Sequence, residues 1–291
     1  MRIADAVDPT VLARLLAWTR GIADLEDHHA ADGLYIGAAC RDDRRPRDPE
    51  AEFLVGLVIT FWFWFDDRSD RFLCGPATWR DLIAMGEDPG FVSDDPAPEL
   101  AFFRRLSAEL RARARAPGEH RWWLARSAEV FRAMYAEEEM SRAGEAASFA
   151  EALEIGADST GLTSIISSAN LAHGMDRAAR ADDMRLARAE RHMCLSQRLL
   201  NDLQSAEKER REGHAGRVSN VVLLLERSMA PAAARAFAES LRRGQERLML
   251  QAIERLPAGD GFGALIRDGM SNIRRWYAAM PARYAAEGDP R

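Results

Sequence analysis

Residues 53–70 read FLVGLVITFWFWFDDRSD. Thirteen uncharged, mostly apolar residues, Phe53 to Phe65, run straight into Asp66, Asp67 and Asp70. At about 100° per residue, Asp66 and Asp70 sit one turn apart on one helix face, with Asp67 beside them. Carboxylates this close repel each other, and a helix tolerates them when a cation lies between. Oxygen ligands at this spacing suit Mg²⁺, which usually takes one or two carboxylates and completes its shell with water and substrate phosphates. The aromatic run before them (Phe61, Trp62, Phe63, Trp64, Phe65) adds a wall suited to a hydrocarbon tail. An acidic triplet at a helix end is ordinarily a solvated face, and an aromatic run is ordinarily core. This stretch needs a second signal.

The chain around it reads as helix almost throughout. Its 291 residues, 47% hydrophobic and 30% charged, can bury a substantial core. A formal charge of −6 argues against a nucleic-acid partner. No apolar leader is visible at the N-terminus, and the longest apolar run is shorter than the roughly 20 residues a membrane span needs. Cys40, Cys74 and Cys194 are scattered without CxxC spacing, which implies reduced thiols in a cytoplasmic protein. His28 and His29 are adjacent, so they are expected to face different ways and to make poor joint ligands.

Helical spacing or turn formers predict helices over 9–31, from the opening stretch to about 69, and then to 85. Further helices are expected at 99–116, 120–144, 147–155, 164–173, 181–211, 218–229, 231–256 and 262–286. Gly156 is expected to end the one before it, Asp94-Asp95 to cap a helix, and Asp42-Asp43 to lie in a solvated loop. Nothing marks a linker, a repeat or a change of composition. Residues 1–291 are expected to form one all-α domain of ten or so helices.

The second signal is NDLQSAEKE at 201–209. Asn201, Ser205 and Glu209 follow at steps of four and drift only about 40° per step. An amide, a hydroxyl and a carboxylate therefore line one stripe, and all three offer the hard oxygen donors of a Mg²⁺ site. A polar helix surface would also carry charges such as Lys208 and Arg210. The full pattern, 135 positions after Asp66, is much harder to reach by accident.

With both motifs in place the chain resembles the bacterial class I terpene synthases. The resemblance implies a helical barrel around a deep apolar cavity, with the two motifs facing each other and holding three Mg²⁺ ions on an isoprenoid diphosphate. It makes Asp66 the principal aspartate ligand, with Asp67 and Asp70 in support. Asn201, Ser205 and Glu209 would hold another ion, and Lys208 would contact the diphosphate. It also implies an Arg-Tyr pair closing over the diphosphate, and Arg283-Tyr284 stands 74 residues after Glu209. A homodimer is compatible with it.

One departure narrows the resemblance. Typical members carry an arginine four residues before a glycine at a central helix break. Here the segment reads EIGADSTG at 154–161, and the place four before Gly161 is Ala157. The segment looks more like that of the bacterial ent-kaurene synthases, which have Asp-Ser-Ile there, lack the arginine and take copalyl diphosphate. Asp158 and Thr160 then become candidate catalytic residues, with Thr160 in the place of the isoleucine. A hydroxyl there is expected to favour stopping at a pimarenyl cation. The chain has no DxDD pattern, so a separate class II cyclase would supply the copalyl diphosphate. Three other readings stay open: a sesquiterpene synthase acting on farnesyl diphosphate, a chain-elongating prenyltransferase, and a non-catalytic helical protein. The transferase would normally carry a second aspartate-rich motif where this chain has Asn201, Ser205 and Glu209.

Overall fold

A computed structural model describes residues 7–38, 40, 46–143, 148–211 and 220–279. Among them lie a short 3-10 turn at Ala178–Arg180 and twelve α-helices. These are α1 (Pro9–Thr19), α2 (Asp27–Gly37), α3 (Pro49–Asp70), α4 (Pro76–Glu87), α5 (Pro98–Arg113) and α6 (Pro117–Ala143). After them come α7 (Phe149–Ser159), α8 (Leu162–Ala172), α9 (Met184–Arg211), α10 (Val221–Glu226), α11 (Pro231–Glu254) and α12 (Gly261–Ala279). Six of the twelve open on a proline, whose missing N–H is one a first turn leaves unpaired anyway. Asp8 and Asp48 cap two of these by accepting backbone N–H groups.

The opening stretch forms α3, and α1, α2, α5, α6 and α8 pack around it. Ala51 to Trp62 are all buried, as a helix that is apolar on every side must be. Close approach on the α2 side depends on small residues: a Cβ on Gly37 would lie 2.7 Å from the Gly56 nitrogen. Phe61 meets Phe102 and Phe103 of α5 and Phe131 of α6 at ring-centroid distances of 5.1, 5.6 and 6.2 Å. Phe65 joins the same cluster through Phe131, at 5.4 Å. Such pairs contribute about 0.5–1.5 kcal/mol each beyond the area they bury. The cluster therefore fixes α3 against α5 and α6.

Three local expectations are corrected. The helix expected over 9–31 is two helices, because Gly21 and Asp24 take left-handed φ values of 84° and 58° that a right-handed helix cannot continue through. The break expected at Gly156 falls later: α7 runs on to Ser159, and the left-handed residue is Gly161 at φ 72°. Asp95 is not a helix cap; its Oδ1 accepts the Ala97 N–H at 2.9 Å, and Ala97 precedes α5. Asp42 and Asp43 lie outside the described residues. Among the described residues no helix is long and apolar enough to cross a membrane, and Cys40, Cys74 and Cys194 are buried free thiols.

Candidate metal-binding active site

The acidic end of α3 and the polar stripe of α9 are tied to the same neighbours on two sides. On one side, Phe63 stacks on Trp276 of α12 with ring centroids 5.3 Å apart and planes 17° from parallel. Trp276 meets the ring of Tyr277 edge-on at 4.8 Å. The Tyr277 hydroxyl then accepts from Asn201 Nδ2 at 2.9 Å and from Gln197 Nε2 at 3.2 Å. Phe63 precedes Asp66 by three residues and Asp70 by seven, so it shares their side of α3. On the other side stand two adjacent residues of α6. Glu138 accepts from Ser69 at 3.4 Å and from Trp79 Nε1 at 3.0 Å, while Glu137 accepts from Arg198 at 2.9 Å. Ser69 lies within the aspartate motif and Arg198 lies one turn before Asn201, so both motifs occupy one end of the bundle.

Within the first motif the three aspartates are placed differently. Asp66 and Asp70 are exposed. Asp67 turns toward α2, where its Oδ2 lies 2.8 Å from Nε2 of the buried His29. The histidine expectation is corrected here. The rings of His28 and His29 stack at 4.0 Å, and ligand atoms of His28, His29 and Asp67 lie within 4.8 Å of one another. Arg68 points away to Asp24 and Glu99, at 2.6 Å each.

Within the second motif, Ser205 is buried, and Asn201, Lys208 and Glu209 are half-buried. Ser205 Oγ and Glu209 Oε1 lie 3.1 and 3.0 Å from one nitrogen, Nδ2 of Asn220. Two of the three proposed donors therefore converge on a common point. The amide nitrogen of Asn201 is turned to Tyr277, which leaves its oxygen as the atom to offer a cation. A hydroxyl, an amide and a carboxylate fit a hard divalent ion such as Mg²⁺. Behind them lies buried Arg198. Burial disfavours its charge, but Asp202, Glu137 and Glu209 outweigh that and hold its pKa above the ordinary value. Its guanidinium presses on α7, so that a Cβ on Gly156 would sit 2.5 Å from it.

The helix break separates its two candidates. Asp158 is half exposed and ion-paired with Arg191 at 2.5 Å, which is a surface position. Thr160 is half-buried, and its hydroxyl donates to the Ala157 carbonyl at 3.1 Å. Arg283 and Tyr284 lie outside the described residues. Of the five aromatics in the run, Trp64 hydrogen-bonds the Ala23 carbonyl at 2.8 Å, and Phe61 and Phe65 belong to the ring cluster. Trp62 faces the break, with Gly161 approaching its ring. Phe63 was not singled out in the sequence, though its helical spacing from Asp66 and Asp70 is a signal that could have marked it. Nothing in the sequence marked Trp276, Tyr277, Glu137 or Asn220.

This all-helical arrangement is the fold of the class I terpene synthases. The profile of terpene synthase family 2, C-terminal metal binding, matches residues 57–247, and the chain belongs to that family. Its members act as lyases on diphosphates and use a divalent metal. Among solved structures, the linalool/nerolidol synthase of Streptomyces clavuligerus, in complex with 2-fluorogeranyl diphosphate, is similar with a TM-score of 0.76. That match has 19% identity and covers 94% of this chain and 98% of the other. The 2-methylisoborneol synthase of Streptomyces coelicolor A3(2), in complex with Mg²⁺ and geranyl-S-thiolodiphosphate, reaches a TM-score of 0.77 at 15% identity. It covers 97% of this chain and 95% of the other. An α-eudesmol synthase matches at a TM-score of 0.71 and 18% identity, with 94% of each chain covered.

Proposed function

We propose that this chain is a Mg²⁺-dependent diterpene cyclase that converts copalyl diphosphate to a pimaradiene-type hydrocarbon. The observation that carries the cyclase reading is the convergence of Ser205 and Glu209, tied through α6 and α12 to the acidic end of α3. Asp66 is the principal ligand of the first motif, supported by Asp67 and Asp70. Asn201, Ser205 and Glu209 form the second, and together they accommodate three ions. When bound, Mg²⁺ supplies the positive charge that makes the diphosphate a leaving group. Lys208, Arg283 and Tyr284 contact that diphosphate.

The reaction then follows from simple electron counting. The allylic C–O bond breaks and its electron pair leaves with the diphosphate. An alkene of the substrate attacks the resulting cation to form a new C–C bond, and a neighbouring C–H proton passes to the released diphosphate. Water would quench the cation, so the apolar helices must exclude it. An aromatic face steadies a passing cation by about 0.5–2 kcal/mol, a role we assign to Trp62 beside the helix break and to the stacked Phe63 and Trp276. Thr160 supplies a dipole at the break that favours deprotonation of a tertiary cation.

The copalyl substrate rests on the helix-break sequence. A separate class II cyclase would produce it. A second reading, an acyclic prenyl diphosphate such as farnesyl diphosphate, is favoured by the acyclic geranyl analogues bound to two of the similar structures. Incubating the protein and Mg²⁺ with farnesyl, geranylgeranyl and copalyl diphosphates, then identifying products by mass spectrometry, separates the two. A tricyclic diterpene from copalyl diphosphate supports the first reading, and turnover of farnesyl diphosphate alone replaces it with the second. Thr160→Ile is expected to shift products toward kaurene-like tetracycles.

A further inference from the structure

Asn220 touches two members of the second motif at once, Ser205 and Glu209. It lies 11 residues beyond Glu209, is only 1% exposed, and stands immediately before α10. Its Oδ1 accepts the Val222 and Leu223 N–H groups at 3.0 and 3.3 Å. That settles which way the amide faces, because an NH₂ group could not accept them. Nδ2 therefore points at α9, within hydrogen-bond reach of three acceptors. These are the Asp202 carbonyl at 3.2 Å, Ser205 Oγ at 3.1 Å and Glu209 Oε1 at 3.0 Å. Two N–H bonds shared among three acceptors hold the group in one orientation.

We propose that Asn220 is a positioning residue for the second metal site, and that it sets the geometry of Ser205 and Glu209 before an ion arrives. Glu209 sits near the end of a long helix, where a free carboxylate would sample several rotamers and lose that freedom on binding. A donor fixed on one oxygen selects a rotamer and leaves the remaining lone pairs facing the site. The hydroxyl of Ser205 is oriented by the same nitrogen. Groups that orient metal ligands in this way commonly change affinity by about 10–100-fold when removed. The proposal rests on the reading that Ser205 and Glu209 are ligands, and its test keeps the two apart.

Asn220 also caps α10, so the test must separate capping from positioning. Asn220→Ser retains a side-chain oxygen acceptor for the Val222 and Leu223 N–H groups but cannot reach all three acceptors on α9. Asn220→Ala removes both roles. The measurement is isothermal titration of Mn²⁺ into each purified protein in the presence of inorganic diphosphate, alongside melting temperatures taken in EDTA. Asn220→Ser is expected to melt within a few degrees of the wild type while binding Mn²⁺ at least tenfold more weakly. Asn220→Ala is expected to lose both melting temperature and affinity. Mn²⁺ binding by Asn220→Ser equal to the wild type would overturn the inference, since capping alone would then account for Asn220. Glu209→Gln is the control. If it binds like the wild type, the ligand reading falls and this inference with it; if it loses binding while Asn220→Ser does not, only the inference falls.

Discussion

Phe63 and Trp276 stack with their ring centroids 5.3 Å apart, although 213 positions separate them in the chain. The next residue, Tyr277, accepts from Asn201. A short path of three rings and a hydroxyl therefore joins the helix that bears Asp66 to the helix that bears Glu209.

Tyr277→Phe removes the hydroxyl that receives both Asn201 and Gln197. Leaving such groups without their acceptor costs about 1–3 kcal/mol. Chemical denaturation is expected to show a loss in that range. The Mg²⁺ concentration for half-maximal activity should rise, because the Asn201 amide is no longer held.

Asp66→Asn and Asp158→Asn are expected to differ sharply. Lewis-acid assistance supplies several kcal/mol, and each 1.36 kcal/mol is a factor of ten in rate, so losing Asp66, the proposed principal ligand, should lower kcat/KM by about 100-fold or more. Asp158 is in an exposed pair with Arg191, and such pairs contribute about 0–1 kcal/mol of stability. Its variant should turn over substrate at close to the wild-type rate. A large drop in steady-state kinetics would instead support Asp158 as a catalytic residue.

Arg198→Met leaves Asp202 and Glu137 without their buried partner. Breaking a buried pair from one side typically costs about 3–5 kcal/mol. Denaturant midpoints should show a loss of that size. Arg198→Lys should recover only part of it, because an ammonium cannot span both carboxylates as the guanidinium fork does.

His120 gives a pH dependence. Burial, then the nearby Arg111 charge, lowers its pKa from 6.5 to about 4, against the opposing hydrogen bond with Ser107. Between those values the unfolded chain binds a proton that the folded chain refuses. Stability contributed by this residue is therefore present above pH 6.5 and is lost as pH falls toward 4. The full difference is about 3 kcal/mol. In His120→Gln, unfolding free energies measured from pH 7 down to pH 4 should fall less steeply than in the wild type.

The helical class and both donor stripes were legible because they depend on spacing alone. Asp66 and Asp70, or Asn201, Ser205 and Glu209, share a face whatever surrounds them. The helix boundaries were less so. Gly156 and Gly161 are both glycines near a break, and only packing decides between them: Gly156 receives the Arg198 guanidinium, while Gly161 takes the left-handed turn against Trp62. The partners of the stripes were not legible at all. Asn220 reaches Ser205 and Glu209 through the fold, and Glu137 and Glu138 look like ordinary members of an acidic run on α6. Contacts of that kind have no period to read.

A Cβ placed on Gly161 would lie 3.1 Å from the Trp62 ring. Gly161 also holds a left-handed φ of 72°, so a side chain there would meet backbone strain as well as the ring. A methyl group added at Gly161 would press on that indole, which stands four residues before Asp66 on the same helix. For the proposed cyclase, positions 160 and 161 are therefore where a change of side chain is expected to alter the hydrocarbon formed.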